Sequence, residues 1–403
     1  MEGGEEVPLP VLGREGRLLT REDVLALEEN CVWLGVDRLL MMENAASAIA
    51  DAVEDLLGDL RKKVVWVVAG RGNNGGDGLA AARRISARGA KVLVLLIGEP
   101  KAPEARRNYE ILRRMPSVKM LRFDPNSPPE GRPDAVVDAI LGVGIRGAPR
   151  GPAARAIEFI NELSSKGIPV ISVDVPSGLD PFTGAAPGPA VRADLTVTFH
   201  SPKPGMRRDL CGEVRIAEVG APPEALLYAG PGDLKLVLGP RPPWSHKGMY
   251  GRILIVGGSR RFSGAPSLAA MAALRAGADL AIVAAPEPAA RAIKSISPDL
   301  IVEPLPGDSL SPDHLDLILE ESKRADVVLL GPGLGRERAA LDAVASLLRE
   351  LRERRARTVI DADALLAVDP DAGWPWLVIT PHAGEFQRIF GEDPSTNLPR
   401  RVR

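Results

Sequence analysis

Runs of β-branched residues recur from Val64 onward with helix-length stretches between them. The first half holds VVWVVAG, KVLVLLIG, DAVVDAILG and PVISVDV; the second holds GRILIVGGS, DLAIVAAP, DVVLLGPGLG, TVIDADAL and WLVITPHAGEF. Short apolar strands alternating with helices predict βαβ units, and a series of such units predicts a mostly parallel sheet covered by helices on both faces. The fold class expected is α/β, with a doubly wound domain followed by a second βα series. Ahead of the first strand, Thr20-Arg21-Glu22-Asp23 has the form of a capping box opening an amphipathic helix, and Leu39 to Leu57 continues helical. Residues 221–246, APPEALLYAGPGDLKLVLGPRPPWSH, are dense in Pro and Gly and lack a long periodic segment. We therefore expect a first domain at 1–225, a linker at 226–245 and a second domain at 246–403.

Composition narrows the partners. Lys+Arg 51 against Asp+Glu 53 leaves a net charge of -2, so no basic excess points to nucleic acid or to an anionic membrane. A phosphate-bearing partner has to be held by local geometry. No apolar run approaches the roughly 18 residues of a membrane span, and MEGGEEVPLP lacks the apolar stretch of a secretory signal, so a cytoplasmic setting is expected. Cys31 and Cys211 lie far apart and form no CxxC pair, which suits a reducing compartment without structural zinc. Asn and Gln together number nine, a depletion that a hot environment or a biased genome would produce. Adjacent asparagines inside a glycine-rich loop therefore stand out.

That loop is Gly70-Arg71-Gly72-Asn73-Asn74-Gly75-Gly76-Asp77-Gly78, between a strand and a helix. Backbone N–H groups and a helix N-terminus there can face an anion. Gly70, Gly72 and Gly75 satisfy G-x-G-x-x-G, with Glu99 placed as a ribose-binding acid, and Gly142, Gly144 and Gly147 repeat the pattern. A plain NAD(P)-dependent oxidoreductase is one reading, but it gives Asn73, Asn74 and Asp77 no role. Their oxygens suit an alkali cation or a ribose-phosphate, a tight Asx turn being the alternative. Asp138 and Asp174 close two strands, where side chains point into the ligand crevice of an open α/β sheet, or else cap a turn. Lys203, after the strand that follows, can add a cation or proton donor, or stay in solvent.

LLMMENAA (39–46), GRGNNGGDGLAAARRI (70–85), VVDAILGVGIRG (136–147), ISVDVPSGLDPFTG (171–184) and HSPKPG (200–205) resemble, in order, the motifs of the NAD(P)H-hydrate epimerase domain. HKGMYGRILIVGGSRRFSGAPSLAAMAALRAGADL (246–280), LLGPGLG (329–335), VIDADAL (359–365) and LVITPHAGEFQRIFG (377–391) resemble the ADP/ATP-dependent NAD(P)H-hydrate dehydratase, a ribokinase-like fold. The resemblance implies a Rossmann-like domain followed by a ribokinase-like one, and a bifunctional metabolite-repair enzyme, isomerase and lyase. Its substrates would be NADH and NADPH hydrated at C6 of the nicotinamide ring. One half would interconvert the R and S hydrates; the other would dehydrate the S form with ADP or ATP and Mg2+. By motif, Asn73, Asn74, Gly75, Gly76 and Asp77, with Gly142, Val143, Gly144, Ile145, Arg146, Gly147 and Ala148, would contact the dinucleotide. Asn74, Asp138 and Ser177 would hold a potassium ion, and Asp174 with Lys203 would be the acid/base pair. Inverting C6 requires the hydroxyl to leave and return on the other face, work suited to a carboxylate that shuttles a proton beside a cationic intermediate.

In the second half Ala265, Gly333 or Gly335, and His382 fall where that family binds the S hydrate. The family's phosphoryl anion hole and catalytic aspartate come from a Gly-x-Gly-Asp segment downstream of the TPH.GEF stretch, and none follows TPHAGEF here, so the expectation is an incomplete dehydratase half. Asp361 and Asp363 read as caps of the DADAL turn rather than as a substitute base, and His382 can equally be a fixed turn residue. Ile145 and Arg146 depart from the residues common in relatives. A nucleotide-binding module without dehydratase activity and, for the second domain, a sugar or vitamin kinase are the remaining alternatives. Pairing into a homo-oligomer would be ordinary for such sheets.

Overall fold

The computed structural model describes residues 18–239 and 241–394. The opening MEGGEEVPLP lies outside them, as do residues 395–403 of the second expected domain. The chain divides into two compact units, 1–239 and 240–403.

The first unit runs α1 (Arg21–Trp33), α2 (Arg38–Leu57), β1 (Val64–Ala69), α3 (Asn73–Ala87), β2 (Lys91–Leu96), α4 (Pro103–Leu112), β3 (Val118–Arg122), β4 (Ala135–Ala139), α5 (Pro152–Ser165), β5 (Val170–Val173), β6 (Leu195–Phe199), α6 (Arg208–Cys211), β7 (Glu213–Ala217), α7 (Glu224–Leu227) and α8 (Pro231–Val237). Its seven strands are all parallel in the order β3-β2-β1-β4-β5-β6-β7. β1 shows why the apolar run becomes a central strand: side chains alternate faces, so Val65, Val67 and Ala69 enter the core under α2 and α3, while Trp66 and Val68 enter the core under α5. A sheet buried on both faces needs such a continuous apolar strand. β3 and β7, short and more polar at the two sheet edges, escaped the sequence reading.

The chain order reverses between β1 and β4, and the loops leaving these two strands diverge there to leave a crevice. α3 starts earlier than expected. Asn73 to Gly78 are its first turns, not a free loop, with Gly72 at the N-cap. Glycines permit this: a Cβ on Gly70 would lie 1.9 Å from Ile140 O, and one on Gly75 2.1 Å from Gly70 O. The capping box at Thr20 forms as read, Asp23 N donating to Thr20 Oγ1 at 3.2 Å and Thr20 N to Asp23 at 2.9 Å.

The segment read as a linker is partly structured. α7 and α8 lie within it or at its edge, and α8 packs on α1: Asn30 donates to Asp233 (2.8 Å) and to Ala225 O (2.9 Å), and Gly232 N donates to Asn30 Oδ1 at 2.8 Å. The close approach requires glycine, because a Cβ on Gly232 would fall 2.1 Å from Ala26 O. Cys31 and Cys211 are buried free thiols, and burial pushes that of Cys31 up to about 11.

The second unit comprises β8 (Arg252–Val256), α9 (Gly264–Ala276), β9 (Leu280–Pro286), α10 (Glu287–Lys294), β10 (Ile301–Leu305), α11 (Leu315–Ser322), β11 (Val327–Leu330), α12 (Arg338–Glu353), β12 (Thr358–Ile360), β13 (Leu377–Ile379) and α13 (Ala383–Phe390), with a 3-10 turn at Ala362–Ala367. Its parallel order, β10-β9-β8-β11-β12-β13, is again doubly wound. α11 and α12 cover one face, α9 and α10 the other. The switch point falls between β8 and β11, where Gly258 N donates to Pro332 O at 2.8 Å. No helix among the described residues is long and apolar enough to cross a membrane.

Candidate active site

A cleft of about 600 Å³ opens at the β1/β4 switch point of the first unit. Its walls are the start of α3 (Asn73, Asn74, Asp77), the turn after β4 (Gly142 to Arg146), the inner face of α1 (Arg21, Val24, Glu28) and, at the sheet end, Asp174 and Phe199. Arg21 ties the α1 wall to the β4 turn, donating to Val143 O at 3.0 Å. The N–H groups of the first turn of α3 carry no side-chain cap, and their positive end favours an anion in the crevice.

Asp174 lies immediately past β5 at a positive φ of 61°, and His200, immediately past β6, at 63°. Both are centres of three-residue turns, Val175 N donating to Val173 O and Ser201 N to Phe199 O, each at 2.7 Å. Left-handed backbone at a non-glycine residue costs about 1–2 kcal/mol. Two such residues at adjacent strand ends is strain concentrated at a site. It turns the Asp174 side chain back toward β6, where its Oδ1 accepts from Phe199 N (3.0 Å), Thr198 Oγ1 (3.3 Å) and Lys203 Nζ (2.5 Å). Lys203 Nζ also donates to Thr198 Oγ1 (2.7 Å) and Phe199 O (3.1 Å), so its three protons are all engaged. Among the described residues nothing bonds Asp174 Oδ2. That oxygen is the one left for a ligand.

Asp138 ends β4 fully buried. Oδ2 accepts from Ser172 Oγ (2.9 Å) and Ser177 N (2.8 Å), Oδ1 from Ser177 Oγ (2.6 Å) and Ile140 N (3.3 Å). Burial raises its carboxyl above the ordinary range, against the pull of these bonds. Ser177 Oγ also lies 3.2 Å from Leu141 O, to which Asn74 Nδ2 donates at 3.1 Å. Asn74, Asp138 and Ser177 are thus joined through the Leu141 carbonyl, an oxygen-rich set with one buried carboxylate. That donor chemistry fits a hard monovalent cation.

The other sequence candidates sort clearly. Asn73, Asn74, Asp77 and Gly142 to Arg146 line the cleft, whereas Gly75, Gly76, Gly147 and Ala148 do not. Gly75 and Gly76 are buried in α3, and Ala148 packs at Gly188. Glu99 is not in the cleft wall, and its carbonyl accepts from Arg71 at 3.4 Å. In the second unit Ala265 is exposed in the first turn of α9, and Gly333 and Gly335 lie in the turn after β11 at positive φ. Asp363 holds that turn, accepting from Gly335 N at 3.1 Å and Arg336 Nε at 3.0 Å, while Asp361 accepts from Thr380 Oγ1 at 2.7 Å. His382 is an exposed N-cap of α13, its Nδ1 accepting from Gly384 N (3.1 Å) and Glu385 N (3.3 Å).

Three residues of the cleft region escaped the sequence reading. Glu28 comes from a helix whose pattern gave only an amphipathic face, Arg21 looked like part of a cap, and His200 stood inside a motif without a role. Among the described residues no donor bonds Glu28 or Asp77. Burial, and after it the charge of Asp174, raises the carboxyl of each above the ordinary range, that of Asp77 strongly. Burial and then the Lys203 charge lower His200 to about 4, so the imidazole is neutral at pH 7.

Residues 38–205 match the family model of the YjeF-related protein N-terminus, and residues 253–399 that of NAD(P)H-hydrate dehydratase. A bifunctional NAD(P)H-hydrate repair enzyme of Pyrobaculum aerophilum is 45% identical over 399 residues, covering 95% of this chain and 77% of that one. The chain belongs to the bifunctional NAD(P)H-hydrate repair enzyme family. A second member, from Methanothermobacter thermautotrophicus, is 44% identical over 404 residues, covering 97% of this chain and 76% of its own. A solved ADP/ATP-dependent NAD(P)H-hydrate dehydratase of Bacillus subtilis, co-crystallised with ATP and Mg2+, is 25% identical with a TM-score of 0.30, covering 40% of this chain and 54% of that one. Membership in this repair family takes the place of the oxidoreductase reading; the cleft walls from Gly70 to Phe199 lie within the first matched segment, and the α1 wall precedes it.

Proposed function

We propose that the first unit of this NAD(P)H-hydrate repair enzyme interconverts the R and S hydrates of NADH and NADPH, with Asp174 as the group that moves the proton. The observation that carries this is the place of Asp174 in the wall of a cleft flanked by the start of α3 and the β4 turn, with its bonds taken at Oδ1 and none at Oδ2 among the described residues. Asn73, Asn74 and the free N–H groups of α3 would receive the dinucleotide phosphates, and Gly142 to Arg146 would border the same ligand. Lys203, its protons spent on Asp174, Thr198 and Phe199, acts as the positioning residue that balances the carboxylate's charge and fixes Oδ2. Asn74, Asp138 and Ser177 would hold a potassium ion, whose charge draws the α3 start and the β4 turn together. Incubating the protein with one pure hydrate epimer, without nucleotide, tests this: R/S equilibration that is lost in Asp174→Asn supports it, and equilibration at the wild-type rate in that variant ends it.

The second unit, by its match to the dehydratase model, is proposed to dehydrate the S hydrate with ADP or ATP and Mg2+. Ala265, in the first turn of the helix that follows β8, and Gly333 and Gly335, in the turn after β11, lie beyond the carboxyl ends of these strands, where an open α/β sheet binds its ligand. His382 caps its own helix and is proposed to reach the substrate only from that fixed position. Recovery of NADH absorbance on adding nucleotide to the S hydrate measures this activity. No recovery with either nucleotide would remove it.

A further inference from the structure

Epimerisation at a hydroxyl-bearing carbon has a requirement that one carboxylate does not meet. The hydroxyl must be protonated to leave from one face, and the returning water must be deprotonated on the other. Asp174 stands at the sheet end of the cleft; Lys203 has no free proton to give to the second face. Glu28 lines the same cleft from another wall, on α1, with no hydrogen-bond donor among the described residues. It also lines a smaller recess with Asn73, Asp77, Arg38 and His200 that adjoins this cleft. No three acidic, histidine or cysteine groups among the described residues are spaced to hold a metal ion, so the carboxyls gathered here are not explained as a metal site.

We propose that Glu28 is the second acid/base group of the epimerase site, working on the face of the nicotinamide ring opposite Asp174. The inference rests on the epimerase reading above. In one direction the Glu28 carboxylic acid protonates the C6 hydroxyl, and the C6–O bond breaks with its electron pair leaving on water. The N1 lone pair forms the N1=C6 iminium cation. Water then adds to the other face of C6 and gives its proton to Asp174, so one proton passes from Glu28 to Asp174 and the hydrate is otherwise unchanged. The reverse direction starts from protonated Asp174 and ends with protonated Glu28. The surroundings suit these roles. Glu28 is faced by Asp174 beyond β5, Lys203 beyond β6, Arg38 of α2, Glu29 of its own helix and Asp77 of α3. Burial and the Asp174 charge outweigh Arg38 and Lys203 and keep its proton on to higher pH than an ordinary glutamate. His200, neutral, adds no competing charge.

The test compares wild type, Glu28→Gln and Glu28→Asp on one pure epimer of NADPH hydrate, with intact NADPH as the binding probe. Glu28→Gln is expected to slow equilibration by about 100-fold or more while binding NADPH as wild type does. The fall in rate toward high pH, present in wild type and in Glu28→Asp, is expected to vanish in Glu28→Gln. If wild type equilibrates the epimers and Glu28→Gln does so at the same rate, or slows while keeping the wild-type pH profile, the second-group assignment is overturned. If wild type does not equilibrate them at all, the epimerase reading itself fails.

Discussion

Lys203 Nζ lies 2.5 Å from Asp174 Oδ1 with both residues more than nine-tenths out of solvent. A buried ion pair is a weak net source of stability, but breaking one leaves an uncompensated charge in low dielectric and costs about 3–5 kcal/mol. Lys203→Met is therefore expected to destabilise the first unit by about that much, and Asp174→Asn to do so less, since an amide still accepts from the ammonium and from Phe199 N. Combining the two should cost less than the sum. A double-mutant cycle by denaturant unfolding checks it, and strict additivity would mean the pair does not interact as placed.

Asp138 gives a prediction about cations. Its carboxylate is buried under four hydrogen bonds and linked through Ser177 and Leu141 to Asn74. If these oxygens hold potassium, wild type should melt higher in KCl than in choline chloride at equal ionic strength, by the mass-action gain of a bound ligand. Asp138→Asn should erase the difference. Equal melting of wild type in both salts would rule the potassium site out.

Gly70 follows β1 directly, with its N–H donating to Ala139 O at 2.9 Å and its missing Cβ 1.9 Å from Ile140 O. Backbone cannot yield as a side chain tip can. Gly70→Ala must therefore part β1 from β4 at the mouth of the cleft, at a cost of about 1–3 kcal/mol or more. The expected readout is a lower unfolding midpoint together with weaker dinucleotide binding, because the separated strands carry the two ligand turns. Loss of stability with unchanged binding would show that the cleft does not depend on this contact.

The sequence revealed the parallel α/β architecture because strands buried on both faces must be continuously apolar, as VVWVVA is, and the glycines of both turns because close backbone approach admits nothing larger. It hid the edge strands β3 and β10, whose residues Lys119, Arg122 and Glu303 break the apolar run. It also hid where α3 begins, since Asn-Asn-Gly-Gly has low helix propensity and tertiary packing of Gly76 and Gly78 decides the matter. Asp174, Lys203, Asp138 and Ser177 were legible from strand ends and motifs. Glu28 was not: a glutamate on an amphipathic helix has no local mark of facing inward, and only the placement of α1 at the wall of the cleft reveals it.

His200 should make the first unit acid-sensitive. An exposed histidine in the unfolded chain takes its proton near 6.5, but in the folded unit burial, and then the neighbouring Lys203 charge, hold it off until about 4. Between those values the unfolded state binds more protons, so stability is full above about pH 6.5 and falls as pH drops, by about 1.4 kcal/mol per unit. Glu28, Asp77 and Asp138 act in the opposite sense. Their raised carboxyls hold protons that the unfolded chain has released, and their contribution shrinks as pH rises above the ordinary carboxylate range. Those three groups are common to wild type and to His200→Gln, so the difference between the two proteins isolates the histidine. Denaturant unfolding at pH 7.5 and pH 5 is expected to show wild type losing about 2 kcal/mol more than His200→Gln on acidification. An equal loss in the two would mean that His200 takes up its proton as readily in the folded unit as in the unfolded chain, and that burial does not hold it neutral.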